Sequence, residues 1–223
     1  MGWIVITVFV YFLAVKINEK ASSPFTLPVL TTTAFFVVLF SLTGTSHKEY
    51  VGSGAKWLSL FLNASIVALA IPLYNQRRLL KTHFFSILLG SCLGILLTVL
   101  IAVLAGKSIG LSNSIIASII PQLTTMPIAL ALSGKIEGIP AITAAFVVIA
   151  GITGAIAGPI IMRILRVKST IGRGVGMGCA SHIIGVSQLL KNEKEAAAIG
   201  SVTMIATGIT ASFIIPYIIG YFL

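Results

Sequence analysis

The chain has 223 residues, of which 57% are hydrophobic and 9% charged, with a formal net charge of +10 at pH 7. Apolar runs of about twenty residues, the length a helix needs to cross a bilayer, recur along it; they exclude a water-soluble fold and indicate an all-α integral membrane protein, one polytopic domain over residues 1–223. The basic residues lie in short loops between the runs rather than in a continuous patch with aromatics, so the excess charge points to the lipid bilayer and membrane topology, not to nucleic acid.

In chain order the apolar segments are Trp3 to Lys16, Phe25 to Thr43, Lys56 to Tyr74, Phe84 to Leu104, Ser112 to Ser133, Pro140 to Ile164, Gly172 to Leu190 and Ala196 to Phe222. The first opens at Met1, Gly2 and Trp3 without a basic n-region or small-residue cleavage site, and is expected to stay as a helix rather than leave as a signal peptide. Cys92 and Cys179 sit in apolar or glycine-rich runs, with no spacing for a metal or redox pair, and read as small buried hydrophobes; no metal and no cofactor is expected.

All five Arg fall in two loops, Asn75 to His83 and Arg163 to Arg173, which the positive-inside rule places together in the cytoplasm. Three segments separate them, an odd number, so one must enter and return. Pro121 and Pro127 interrupt the segment Ser112 to Ser133, and irregular backbone at membrane depth is tolerated only where protein or a cavity surrounds it. The expectation is therefore about seven transmembrane helices plus this re-entrant or broken helix. The N-terminus is then outside and the C-terminus inside, with Arg166 cytoplasmic and Lys135, Lys191, Glu193 and Lys194 outside.

Leu27 to Val38 resembles Ile139 to Ile149, and Leu62 to Ile71 resembles Cys179 to Ser187, at offsets of 112 and 116. An inverted repeat, residues 27–104 against 139–222, is expected from these matches and the re-entrant segment between them; secondary transporters place their solute site where such broken helices meet.

The second unusual stretch, Gly172 to Leu190, carries four alternating glycines and then Ser181, His182, Gly185, Ser187 and Gln188. On a continuous helix Ser181, Gly185 and Gln188 share one face with Gly178 above them, a face suited to a ligand or to close helix packing. His182 is the one ionisable group embedded away from the span ends, where it either faces a solute or coupled proton or hydrogen-bonds a backbone carbonyl as packing glue. The candidate substrate-binding residues are Gln122, Thr124, Thr125, Ser181, His182, Ser187 and Gln188, with helix breaks at Pro121, Pro127, Gly178 and Gly185.

Ile66 to Gln76 (IVALAIPLYNQ), the proline-rich segment Pro121 to Ala129, Gly138 to Ala144 (GIPAITA) and Arg173 to Gly185 (RGVGMGCASHIIG) together resemble the signature segments of the LrgB/CidB family, in order and over essentially the whole chain. The resemblance implies a bacterial membrane protein, antiholin-like or holin-like and linked to murein hydrolase export and autolysis; the family also includes a plastid glycolate/glycerate translocator and proteins implicated in pyruvate transport. It further implies a small holin-like partner of the LrgA/CidA type, and an assembly of two or more copies is expected. The chain departs from the family where Gln122 replaces a Lys, where the threonine pair is displaced to Thr124 and Thr125, and where the family's Ser-His-Gly-Ile-Gly reads Ser181, His182, Ile183, Ile184, Gly185; the missing Lys removes one cation for a carboxylate.

Asp is absent and the five Glu lie near loops or span ends, so neither paired carboxylates nor a Ser-His-Asp triad can assemble, and no enzymatic activity is expected. Seven spans, a repeat and polar breaks exceed what a simple pore needs. The sequence thus points to a secondary transporter or exporter of a small organic acid of the pyruvate, glycolate or glycerate type in the bacterial cytoplasmic membrane, with a holin/antiholin-like regulator of murein hydrolase activity as the alternative.

Overall fold

The computed structural model describes residues 2–21, 23, 26, 28–52, 57, 58, 61, 64, 67–190 and 192–223, and every regular element among them is a helix. By contact the chain divides into two compact units, Met1–Val67 and Ala68–Leu223.

In the first unit α1 (Gly2–Ala21) and α2 (Pro28–Thr43) pair antiparallel. The Trp3 ring at the start of α1 meets Phe40 near the end of α2 at 5.6 Å, and Tyr50 on the one-turn helix α3 (His47–Tyr50) at 5.9 Å. Thr7 Oγ1 and the Tyr50 hydroxyl bond at 2.9 Å, so the polar end of Tyr50 is satisfied while its ring packs on Phe36 and Phe40. Gly44, with φ +67°, ends α2 in the left-handed conformation that glycine adopts at least cost. The expected span start at Phe25, the repeat start at Leu27, Lys191 and part of the segment from Lys56 to Tyr74, with its signature residue Ile66, lie outside the described residues.

The second unit opens with two short helices, α4 (Ala70–Asn75) and α5 (Arg77–Thr82), followed by the long α6 (Phe84–Ser108). Next come α7 (Asn113–Ile119), a 3-10 turn (Ile120–Leu123) and α8 (Met126–Lys135). The unit closes with α9 (Pro140–Ile164), α10 (Thr170–Leu190) and α11 (Lys194–Phe222). Among the described residues four helices, α1, α6, α9 and α11, are long and apolar enough to cross a membrane. The bundle's outer faces are apolar, with Phe85, Leu89, Leu104, Ile160 and Phe213 all more than half exposed, as a lipid-facing surface requires.

The segment Ser112 to Ser133 turns back on itself. Asn113 and Ser114 at its start line one crevice with Lys135, Ile136 and Glu137 at its end, and the chain terminus Leu223 lies in the same crevice. Asn113 Nδ2 donates to the Leu223 carbonyl at 3.0 Å, and Lys107 Nζ donates to the Phe222 carbonyl at 2.6 Å. The two arms are joined through Ser118, whose Oγ accepts from the Ile139 N–H at 2.7 Å. The break itself is Thr124 and Thr125, both extended (ψ 168° and 150°). Pro121 lies in the 3-10 turn, while Pro127 sits in the first turn of α8, where a proline starts a helix. The expected break at Pro127 is thus corrected to the two threonines before it.

The segment Gly172 to Leu190, expected to span, also turns back. Within α10, His182 has φ 41° and ψ −135°, a conformation outside the helix. Arg173 near the start of α10 pairs with Glu193 just beyond its end. Both arms touch the same stretch of α11: a Cβ on Gly174 would meet the Ala196 carbonyl at 2.6 Å, one on Gly178 the Gly200 carbonyl at 2.3 Å, and one on Gly200 would meet Val186 at 2.9 Å. The break falls at His182 and not at Gly178 or Gly185; those two glycines provide room for close approach, Gly178 to α11 and Gly185 to Ser181. Glu193 and Lys194 therefore share an end of the bundle with Arg166 and Arg173, which corrects their expected separation.

Ser91 Oγ and Thr207 Oγ1 bond at 2.9 Å and Lys107 reaches Phe222, so α6 and α11 run parallel. These helices would be counterparts in a repeat of 27–104 against 139–222, and their common direction is not the expected inversion. Within this unit α6 and α9 are each 25 residues long, enter from opposite ends and are each followed by a hairpin. The C-terminus lies at the end opposite the arginines, a further correction to the expected topology.

Candidate functional site

The two hairpins meet tip to tip. His182 Nε2 lies 2.7 Å from the backbone carbonyl of Gln122, and because a carbonyl only accepts, this ring nitrogen carries the proton. Neighbouring contacts fix the height of the meeting point: an added Cβ on Gly94 of α6 would touch Cys179 at 2.4 Å and Leu123 at 4.0 Å, and one on Gly208 of α11 would touch Ile128 at 2.6 Å. Gly94 and Gly208 are near the middles of their helices, so the contact is at mid-height.

The seven candidate residues separate by what their polar atoms do. Thr124 is fully buried and its Oγ1 donates to the Pro121 carbonyl at 2.9 Å, capping the 3-10 turn. Ser187 Oγ donates to the Ile184 carbonyl at 2.7 Å, within its own arm. Thr125 Oγ1 and Ser181 Oγ are buried without a hydrogen-bond partner, one at each break. An orphaned hydroxyl costs about 1–3 kcal/mol, so two of them flanking the tips suit atoms that await a partner. Gln122 contributes its carbonyl to His182, and the Gln122 and Gln188 side chains are half-buried.

Ser181 is held in a slot of glycines. A Cβ on Gly154 of α9 would stand 1.9 Å from its Oγ, and one on Gly185 would stand 2.3 Å from its Cβ. The second arm, 183–190, and α8 both begin at mid-height, so two helix N-termini, with their partial positive charge, open toward the tips. Gly154 was not among the sequence candidates; only its one-turn spacing from Gly151 and Gly158 hints at the face that receives the second hairpin.

Among the described residues four helices are able to cross a membrane, and the three of them in the second unit pack with the opposed broken hairpins, which defines an integral membrane protein whose second unit is built around paired breaks. The chain belongs to the LrgB-like family, whose model matches residues 7–221. It is 33% identical to the uncharacterised protein YxaC of Bacillus subtilis over 98% of this chain and 95% of the relative. It is also 30% identical to the holin-like protein CidB of Staphylococcus epidermidis over 97% of this chain and 94% of that one, with the same figures for CidB of Staphylococcus aureus. No solved structure matches the chain.

Proposed function

We propose that the protein is a secondary transporter of a small organic acid of the pyruvate, glycolate or glycerate type in the bacterial cytoplasmic membrane. The observation that carries this reading is the contact of two opposed hairpin tips at mid-height, His182 to Gln122, with an orphaned hydroxyl at each break. Each hairpin arm is about half the length needed to cross the ~30 Å hydrocarbon core, the construction used where a solute is bound at the midplane and exposed alternately to either side. Helix N-termini and the Ser181 and Thr125 hydroxyls supply donors to a carboxylate, so the Lys absent at Gln122 is not required. His182 holds the tips together in the closed arrangement and is freed for solute or a proton when they part.

The holin-like names of the CidB relatives favour a second reading, regulation of murein hydrolase activity and lysis, with a small holin-like partner and assembly into oligomers. Proteoliposomes containing the protein alone decide between them. Uptake of labelled pyruvate, glycolate or glycerate above empty liposomes, reduced about tenfold or more by Ser181→Ala and Thr125→Val together, is the expected result, each lost hydrogen bond to a charged group being worth about 1.5–3 kcal/mol. No flux of any of the three acids would reject transport.

A further inference from the structure

A crevice of about 570 Å³ runs between α6 and the first arm of the second hairpin. Its rim is Ser86 and Ser169, its wall includes Gly90 and Gly172, and its inner end is Cys179 and Ala180, the latter two residues before the His182 break. Ala180 is exposed even though its neighbours Cys179 and Ser181 are buried, so the open space extends to within two residues of the tip contact. Arg163, Arg166, Lys168 and Arg173 belong to the end of α9, the loop after it and the start of the hairpin, the same end of the bundle as Ser86 and Ser169, and Arg173 there is paired with Glu193.

We propose that this crevice is the route by which a small carboxylate passes between the basic end of the bundle and the hairpin tips. The inference rests on the transport reading and adds the path to it. Positive charge at a cleft mouth concentrates anions, and low-dielectric walls of Val175, Ile171 and glycine backbone focus that field along the cleft. The inner end is closed by Cys179, which packs against Gly94 and whose Sγ lies 3.8 Å from the Gly90 carbonyl. A solute entering from the basic end therefore stops beside His182, and parting of the hairpins is the step that lets it through. Among the described residues of the second unit, the opposite end carries two basic residues, Lys107, which is bound to the Phe222 carbonyl, and Lys135, which lines a separate crevice with Glu137.

The test uses Ala180→Cys in the full chain with Cys92 and Cys179 replaced by Ala, and a membrane-impermeant anionic thiol reagent, methanethiosulfonate ethylsulfonate. The expected result is modification in inverted vesicles and none in right-side-out ones, with loss of acid flux on modification. The anionic reagent should outpace its trimethylammonium counterpart by about tenfold, each normalised to its rate on a free thiol. A mixture of pyruvate, glycolate and glycerate at about ten times the half-saturating concentration should slow modification about tenfold. Should Ala180→Cys not fold, native Cys179 in a Cys92→Ala chain and Ser86→Cys at the rim replace it. A thiol that stays unmodified from both sides, or is modified without protection or loss of flux, overturns the crevice as the path; absence of flux in the unsubstituted protein instead overturns the transport reading.

Discussion

His182 occupies a backbone conformation, φ 41° and ψ −135°, that glycine adopts freely and other residues at a cost of about 1–3 kcal/mol. Its ring compensates by donating to the Gln122 carbonyl of the opposing hairpin. His182→Gly should therefore relieve the turn while removing the only bond described between the tips. We expect unchanged or slightly raised thermal stability together with impaired acid flux, whereas a steep fall in Tm would mean that the ring serves packing alone. The adjacent threonines should separate in the same way. Thr124 caps the Pro121 carbonyl, so Thr124→Val should destabilise by about 1 kcal/mol, while Thr125 leaves its hydroxyl unpaired and Thr125→Val should be neutral or stabilising yet weaken solute binding. Thermal unfolding in detergent beside binding of the labelled acid separates the two; equal effects of both substitutions on stability would refute the distinction. From sequence these threonines look alike, because the backbone that gives one a partner and not the other is set by the 3-10 turn.

At the level of elements, glycines determine how closely the second hairpin seats. Gly154→Ala would drive a methyl into Ser181, an overpacking worth about 1–3 kcal/mol, and Ser181→Gly added to it should restore most of that loss. Failure of the double substitution to recover stability, measured by thermal unfolding, would show that the slot is tighter elsewhere. The first hairpin is legible in the sequence because Pro121 and the parity of the arginine loops both require a break near it. The second is not legible: Gly172 to Leu190 is 19 residues long, enough to span, and its break is made by a histidine, a residue with no breaker signal. Glycine spacing there reports close packing, which a spanning helix and a folded hairpin need equally. The polar residues that the structure places at the tips stand out in the sequence all the same, since polar groups in apolar runs do so whatever backbone carries them. What sequence could not supply was which hydroxyls are already used, as for Thr124 and Ser187, and which are free.

For the whole molecule, turning back the second hairpin changes which residues share a side of the membrane. In the second unit Arg77, Arg78, Lys81, Arg163, Arg166, Lys168, Arg173 and Lys194 gather at the end where α6 and α11 begin and α9 finishes. Lys107 and Lys135 are the basic residues described at the other end. Eight against two is a steeper asymmetry than the arrangement with the second hairpin spanning would give, because Lys194 moves to the arginine side, and the rule by which cytoplasmic loops collect Lys and Arg assigns that end to the cytoplasm. Glu193 travels with them and neutralises part of Arg173, which leaves the sign of the bias intact because acids count little in orientation. Leu223, which with Phe222 is bound through its carbonyl to Asn113 and Lys107, is then expected on the outside. Single cysteines replacing Arg166 and Glu193 in a chain without Cys92 and Cys179 should both be labelled by an impermeant maleimide in inverted vesicles, and a cysteine replacing Lys135 or a tag after Leu223 should be reached only in right-side-out ones. Opposite labelling of Arg166→Cys and Glu193→Cys would mean that Gly172 to Leu190 crosses after all, and the paired hairpins on which the transport mechanism depends would fall with it.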